Sequence, residues 1–188
     1  MARWEPNARG RLEQAALELY VERGYEQTTV ADIAERAGLT ERTFFRHFSD
    51  KREVLFGGGS ALEDALTEAV ASARASASPI AAVADALDGL SPFFHGRREI
   101  VRRRQSVIAA HPELQERELI KMASWASTLA AALRKRGVKD PAAALTAEAG
   151  IAAFRVAYAR WVKSGTKQDL SKFIRQSFDD LKSVTADA

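Results

Sequence analysis

Residues 28–56, TTVADIAERAGLTERTFFRHFSDKREVLF, hold two short helical patterns joined by a tight turn. A threonine cap, Thr28 or Thr29, opens the first, and Val30, Ile33, Ala34 and Ala37 recur at spacings that make one apolar face. Gly38-Leu39 is the turn. Thr40 caps a second helix that carries Arg42, Thr43, Phe45 and His47. Phe44 and Phe48, four residues apart with Leu39 and Leu55 nearby, are its core side. The pattern is a helix-turn-helix over about 29–48, whose second helix is suited to a DNA major groove.

Upstream, a helix is predicted from about Asn7 to Arg23, with Leu12, Ala15, Ala16 and Leu19 inward and Gly24 as its stop. Downstream, Asp50 and Glu53 stand three apart as a capping box for a fourth helix. These elements make a domain over 1–56. The remainder, 57–188, shows helical periodicity near 79–90, 97–110, 113–136, 141–163 and 168–184, broken at His111-Pro112, Gly137 and Gly165. The Ala/Ser-rich stretch 69–78 reads as a helix end and loop. Strand signals are nearly absent, so the fold class is all-α with about nine helices.

The chain has 188 residues, 46% hydrophobic and 28% charged, which suits a folded globular protein. It has no cysteine, no run of 18 apolar residues and no apolar signal segment at Met1-Ala2-Arg3-Trp4-Glu5-Pro6. A cytoplasmic protein without disulfides or a membrane anchor is expected. The net charge of +3 does not itself point to DNA, because residues 1–56 hold nine Lys/Arg against ten Asp/Glu. His47, His95 and His111 are scattered, with no nucleophile–base pair or metal-ligand spacing beside them. No catalytic set, metal site or cofactor is expected.

Residues 9–56 resemble the N-terminal domain of TetR-type (tetracycline-repressor-like) transcriptional regulators. The resemblance rests on Ala16-Leu17-Glu18-Leu19-Tyr20 with Arg23-Gly24-Tyr25, on Thr28-Thr29-Val30-Ala31-Asp32-Ile33-Ala34, and on Thr43-Phe44-Phe45-Arg46-His47-Phe48-Ser49-Asp50-Lys51. It implies a homodimer that binds double-stranded DNA at a palindromic operator, with heads about 34–36 Å apart, and an unknown small-molecule effector bound by the C-terminal domain. It also implies roles residue by residue. Thr28 or Thr29 and Thr40 would donate to phosphates at helix starts. Glu41, Arg42 and Thr43 would meet base edges, Arg42 as a bidentate partner of guanine. Arg46, His47 and Lys51 would touch phosphates. Phe45 stands where a tyrosine usually reaches the backbone, so that hydroxyl is missing.

Three features mark 57–188. Gly57-Gly58-Gly59 interrupts an expected connecting helix, and Ser60 with Glu63 can cap a restart. The basic run Arg97 to Arg104 is either a solvated face or brings Arg103 or Arg104 to an acidic effector. Phe93, Phe94, Trp125, Phe154, Tyr158 and Trp161 are candidates for an apolar pocket or for core. Ala149, Ala152, Ala153 and Ala157, with Leu170, Phe173, Ile174, Ser177 and Leu181, are the expected dimer seam.

Overall fold

The structure, a computed structural model, describes residues 7–57, 59–166 and 168–186. Among them the regular elements are all helical, as expected: α1 (Ala8–Arg23), α2 (Val30–Arg36), α3 (Glu41–His47), a 3-10 turn (Glu53–Phe56), α4 (Gly59–Ser72), α5 (Pro79–Asp88), α6 (Ser91–Phe94), α7 (Arg98–Ala110), α8 (Pro112–Lys135), α9 (Ala142–Lys163) and α10 (Leu170–Ala186). Nine of the ten α-helices are seven residues or longer, and α6 is a single turn.

The chain forms two compact units. The first comprises residues 7–57 with Arg103–Glu118, the second the described residues of 59–102 and 119–186. In the first, Leu12, Leu19, Ile33 and Phe44 are fully buried, joined by Val107, Ile108 and Leu114 from the α7–α8 elbow. The division expected at 56/57 leaves that elbow in the second domain, whereas its apolar residues pack in the core of the first unit. Its signal was present, since an apolar trio flanks the His111-Pro112 break. In the second unit, Leu66, Val83, Leu87, Leu129, Leu133, Ile151 and Ile174 form a separate core.

Two local readings change. Asp50 Oδ1 accepts from the Arg52 and Glu53 amides, but Glu53 turns its carboxylate to Arg117 and no α-helix follows. The chain makes one 3-10 turn and leaves helical geometry at Gly57 (φ −57°, ψ 152°). Gly58 lies outside the described residues. The helix restarts at Gly59, and Glu63 is engaged by Ser124 of α8 at 2.8 Å instead of capping Ser60.

Packing of α5 on α9 depends on Gly150. A Cβ there would lie 2.3 Å from Val83 Cγ1, so the Val83 side chain of α5 fills the space that any side chain at 150 would need. Gly150→Ala should therefore lose about 1–3 kcal/mol of stability by overpacking. Adding Val83→Ala should restore much of it. A thermal melt in which the single variant matches the parent would contradict this close approach.

Candidate nucleic-acid interface

The helix-turn-helix is built from short polar contacts around a small apolar core. Thr29 is the cap of α2: its Oγ accepts from the Asp32 amide at 3.1 Å, and its own amide and hydroxyl donate to Asp32 Oδ2 at 2.8 and 2.6 Å. These bonds, the hydroxyl's first and the amide's next, hold the Asp32 carboxyl below its ordinary pKa. Thr28 faces inward, buried, and donates to the Gly24 carbonyl at 2.8 Å. Of the two threonines, Thr28 is thus removed from phosphate contact by burial. Thr29 stays exposed beside a carboxylate.

The turn requires glycine at Gly38, whose φ of 64° is left-handed and whose missing Cβ would meet the Arg11 guanidinium at 2.8 Å. Arg11 passes beneath it to donate to the Ala37 carbonyl. Thr40 then caps α3, its Oγ accepting from the Thr43 amide at 3.2 Å. Phe44 is fully buried and Phe48 nearly so. Their burial turns the other face of α3 outward, and Glu41, Arg42, Phe45 and Arg46 all lie exposed there. Phe45 is 56% exposed with its ring edge-on to Phe44 at 5.4 Å, an unusual position for so large an apolar group. Among the described residues neither Arg42 nor Arg46 has an ion-pair partner. Thr43 is half-buried.

Two expected phosphate ligands are placed differently. The Lys51 ammonium donates to the carbonyls of Tyr25 (2.9 Å), Thr28 (3.1 Å) and Glu26 (3.4 Å), and lies 4.3 Å from the Tyr25 ring centroid. A lysine has three N–H donors, and all three are taken. Lys51 therefore fastens the α1–α2 loop. His47 is half-buried, and its Nε2 is enclosed with no hydrogen-bond partner, so that atom is turned from solvent.

Within the first unit a polar seam joins the head to the α7–α8 elbow, and no spacing or motif in the chain announces it. Tyr20 donates to the Lys51 carbonyl at 2.6 Å, and burial pushes its phenol far above the usual range. Tyr25 is also raised, by burial and then by its hydrogen bond with Glu113. Arg104 donates from Nε to the Leu55 carbonyl (2.6 Å), pairs with Glu118 (3.1 Å) and covers the Phe56 ring. Arg104 is thereby engaged by the head. Arg103 is exposed. Arg98 and Arg102, four apart on α7, hold the end of α9: Arg102 donates to the Val162 and Ser164 carbonyls, Arg98 to those of Thr166 and Gln168.

Most of the aromatic candidates in the second unit do come together. Trp125, Phe154, Tyr158 and Trp161 form a chain of ring contacts with centroids 5.7–6.0 Å apart, and Phe94 meets both Tyr158 and Trp161. Phe93 lies outward, 47% exposed. The expected seam is divided. Ala153, Ala157, Leu170, Ile174 and Ser177 are buried in the chain's own core, while Phe173 and Leu181 are half-buried against it. Ala152 is exposed and Ala149 half-exposed, flanked by Leu145 and Val156 at 66% and 54% exposure. Among the described residues no helix is long and apolar enough to cross a membrane.

The family model of bacterial regulatory proteins of the tetR family matches residues 13–56, and that of the MftR C-terminal domain matches residues 77–186. The chain is 42% identical over 78 residues to the HTH-type transcriptional regulator TcmR of Streptomyces glaucescens, a match over 42% of this chain and 34% of that protein. It is 27% identical over 125 residues to the putative mycofactocin biosynthesis transcriptional regulator MftR of Mycobacterium tuberculosis, over 66% of this chain and 63% of that one. The matches thus span about a third and under two thirds of those relatives. Similar folds include Thermus thermophilus FadR in complex with lauroyl-CoA (TM-score 0.57, 20% identity, 92% of each chain). SmeT of Stenotrophomonas maltophilia in complex with triclosan is another (TM-score 0.65, 18% identity, 94% of this chain and 90% of that one).

Replacing Lys51 by methionine should keep the stem and leave three carbonyls without their donor. The expected cost is about 1–3 kcal/mol, seen as a lower urea midpoint for the chain. If Lys51→Met instead leaves stability intact and only weakens DNA binding, Lys51 is a phosphate ligand after all.

Proposed function

The chain belongs to the TetR family of bacterial regulatory proteins, which are transcriptional regulators and not enzymes, and on that premise we propose a homodimeric repressor that leaves a palindromic operator when a small effector binds. The observation that carries the reading is the outward face of α3. Most polar groups of the helix-turn-helix are tied to the chain itself, yet Arg42, Phe45 and Arg46 lie exposed on the face turned outward by the buried Phe44, and neither arginine has an ion-pair partner among the described residues. Arg42, near the start of the recognition helix, is the base reader, suited to guanine O6 and N7. Arg46, one turn on, takes a phosphate. Phe45 gives apolar contact, as to a thymine methyl. Thr29, Thr40, Glu41 and Thr43 complete the surface at the two helix starts.

Support for the dimer is the stripe Leu145, Ala149, Ala152 and Val156, spaced four, three and four along α9, with Val184 of α10 also exposed. Small and apolar residues at that spacing suit a helix packing on its two-fold copy. The effector reading favours an apolar ligand over an acidic one, because Arg104 is already engaged and Arg98 and Arg102 are committed to carbonyls. Work in the cytoplasm follows from the DNA partner.

A mobility shift on the palindrome flanking its own gene tests the reading, against random DNA of equal length. Arg42→Ala should cost about 1–3 kcal/mol and relax the preference at one base pair. Arg46→Ala should weaken all sequences alike and lower the salt slope by about one. Equal losses on operator and random DNA for Arg42→Ala would contradict its role as base reader. Separately, Val156→Glu should halve the sedimenting mass and abolish tight operator binding, whereas an unchanged mass would place the dimer seam elsewhere.

A further inference from the structure

Two indole N–H groups in the second unit have no acceptor. Trp125 and Trp161 are 5% and 3% exposed, and the Nε1 of each is enclosed with no hydrogen-bond partner among the described residues. A buried donor without an acceptor costs about 1–3 kcal/mol, and tryptophan N–H groups usually find one when buried. The two donors stand at the ends of the ring chain Trp125–Phe154–Tyr158–Trp161, in which Phe154 and Tyr158 are stacked (28° between planes, 5.8 Å). Trp161 is fixed in place. Arg98 lies 5.0 Å over its ring while its guanidinium is hydrogen-bonded to two carbonyls, so it offers that face no spare cation for an anionic ligand.

We propose that this aromatic chain receives a flat, uncharged aromatic ligand bearing carbonyl or ether oxygens, with the Trp125 and Trp161 indoles donating to those oxygens. The inference rests on the effector reading above and names the ligand class. Rings supply stacking area, and each indole adds one directional bond that a hydrocarbon of the same shape cannot accept. Ligands whose main feature is a carboxylate or phosphate are disfavoured, since burying a charge here without a partner is costly.

The test uses the full chain and matched pairs of probes: benzophenone with diphenylmethane, 9-fluorenone with fluorene, and anthraquinone with anthracene. Binding is read by tryptophan fluorescence and calorimetry without DNA. At least one ketone should bind about tenfold more tightly than its hydrocarbon. Trp125→Phe or Trp161→Phe, with an unchanged melting temperature, should erase that ratio and leave hydrocarbon affinity in place. Equal binding within every pair overturns the proposal, as does a ratio that survives both substitutions, or binding of lauroyl-CoA with none of the ketones. The operator shift is scored separately. Ketone discrimination without operator binding sinks the regulator reading alone, and operator binding without discrimination sinks only the ligand class.

Discussion

A protein made of helices must find donors for the carbonyl groups that its helix ends leave open, and this chain meets that demand with its cations. Arg11 closes the end of α2 at Ala37. Lys51 ties three carbonyls after α1, and Arg104 takes that of Leu55 at the 3-10 turn. Arg136 gathers Val70, Ala73 and Arg74 at the end of α4, and Arg98 with Arg102 do the same beyond α9. Each is a charge-assisted bond at a site where an unsatisfied carbonyl would be costly. A basic composition, read without these partners, exaggerates how much positive charge is left for DNA.

That allocation sharpens the meaning of the cations left over. On α3, Arg42 and Arg46 occupy successive turns of an exposed face and bond to no carbonyl among the described residues. The head is close to neutral, so its attraction for a polyanion comes from where a few groups stand, and not from bulk charge. The start of α2 shows the same economy in reverse. Asp32 satisfies Thr29 completely and places a carboxylate where the helix dipole would welcome an anion from outside. The N-terminus of α3 has no equivalent acid in its cap, because Thr40 is met by Thr43.

What the sequence disclosed was local. Apolar spacing, threonine caps and the Gly38 turn act within four residues, so α1 to α3 and the inward set Leu12, Ile33, Phe44 and Phe48 were readable from the chain alone. Thr28 against Thr29 was undecidable, since both are good caps and only the fold says which one faces the Gly24 carbonyl. Lys51 and Arg104 have partners within the chain that their residue types do not announce. Their acceptors are backbone atoms 23 to 49 positions away, and a carbonyl has no residue type to recognise. The same limit holds on α9: alanines lie on both sides of it, and periodicity does not say which side meets the chain's own core.

At Gly57 neither conformation nor backbone crowding demands a glycine. Its backbone angles are open to any residue, so no left-handed turn requires it. A Cβ there would meet only movable side-chain ends, those of Glu13 and Arg9, which pair with each other at 3.1 Å while Arg9 covers the Phe48 ring. The backbone that leads from the head into α4 is thus non-helical at Gly57, without the hydrogen-bond ladder that makes a helix stiff. By contrast α7 and α8 are unbroken, from Arg98 to Ala110 and from Pro112 to Lys135, and each has residues in both compact units. Within the first unit, Arg104 of α7 and Arg117 of α8 grip the 3-10 turn, Arg104 at the Leu55 carbonyl and Arg117 at the Glu53 carboxylate, so the last residues before Gly57 are held by two elements distant in sequence.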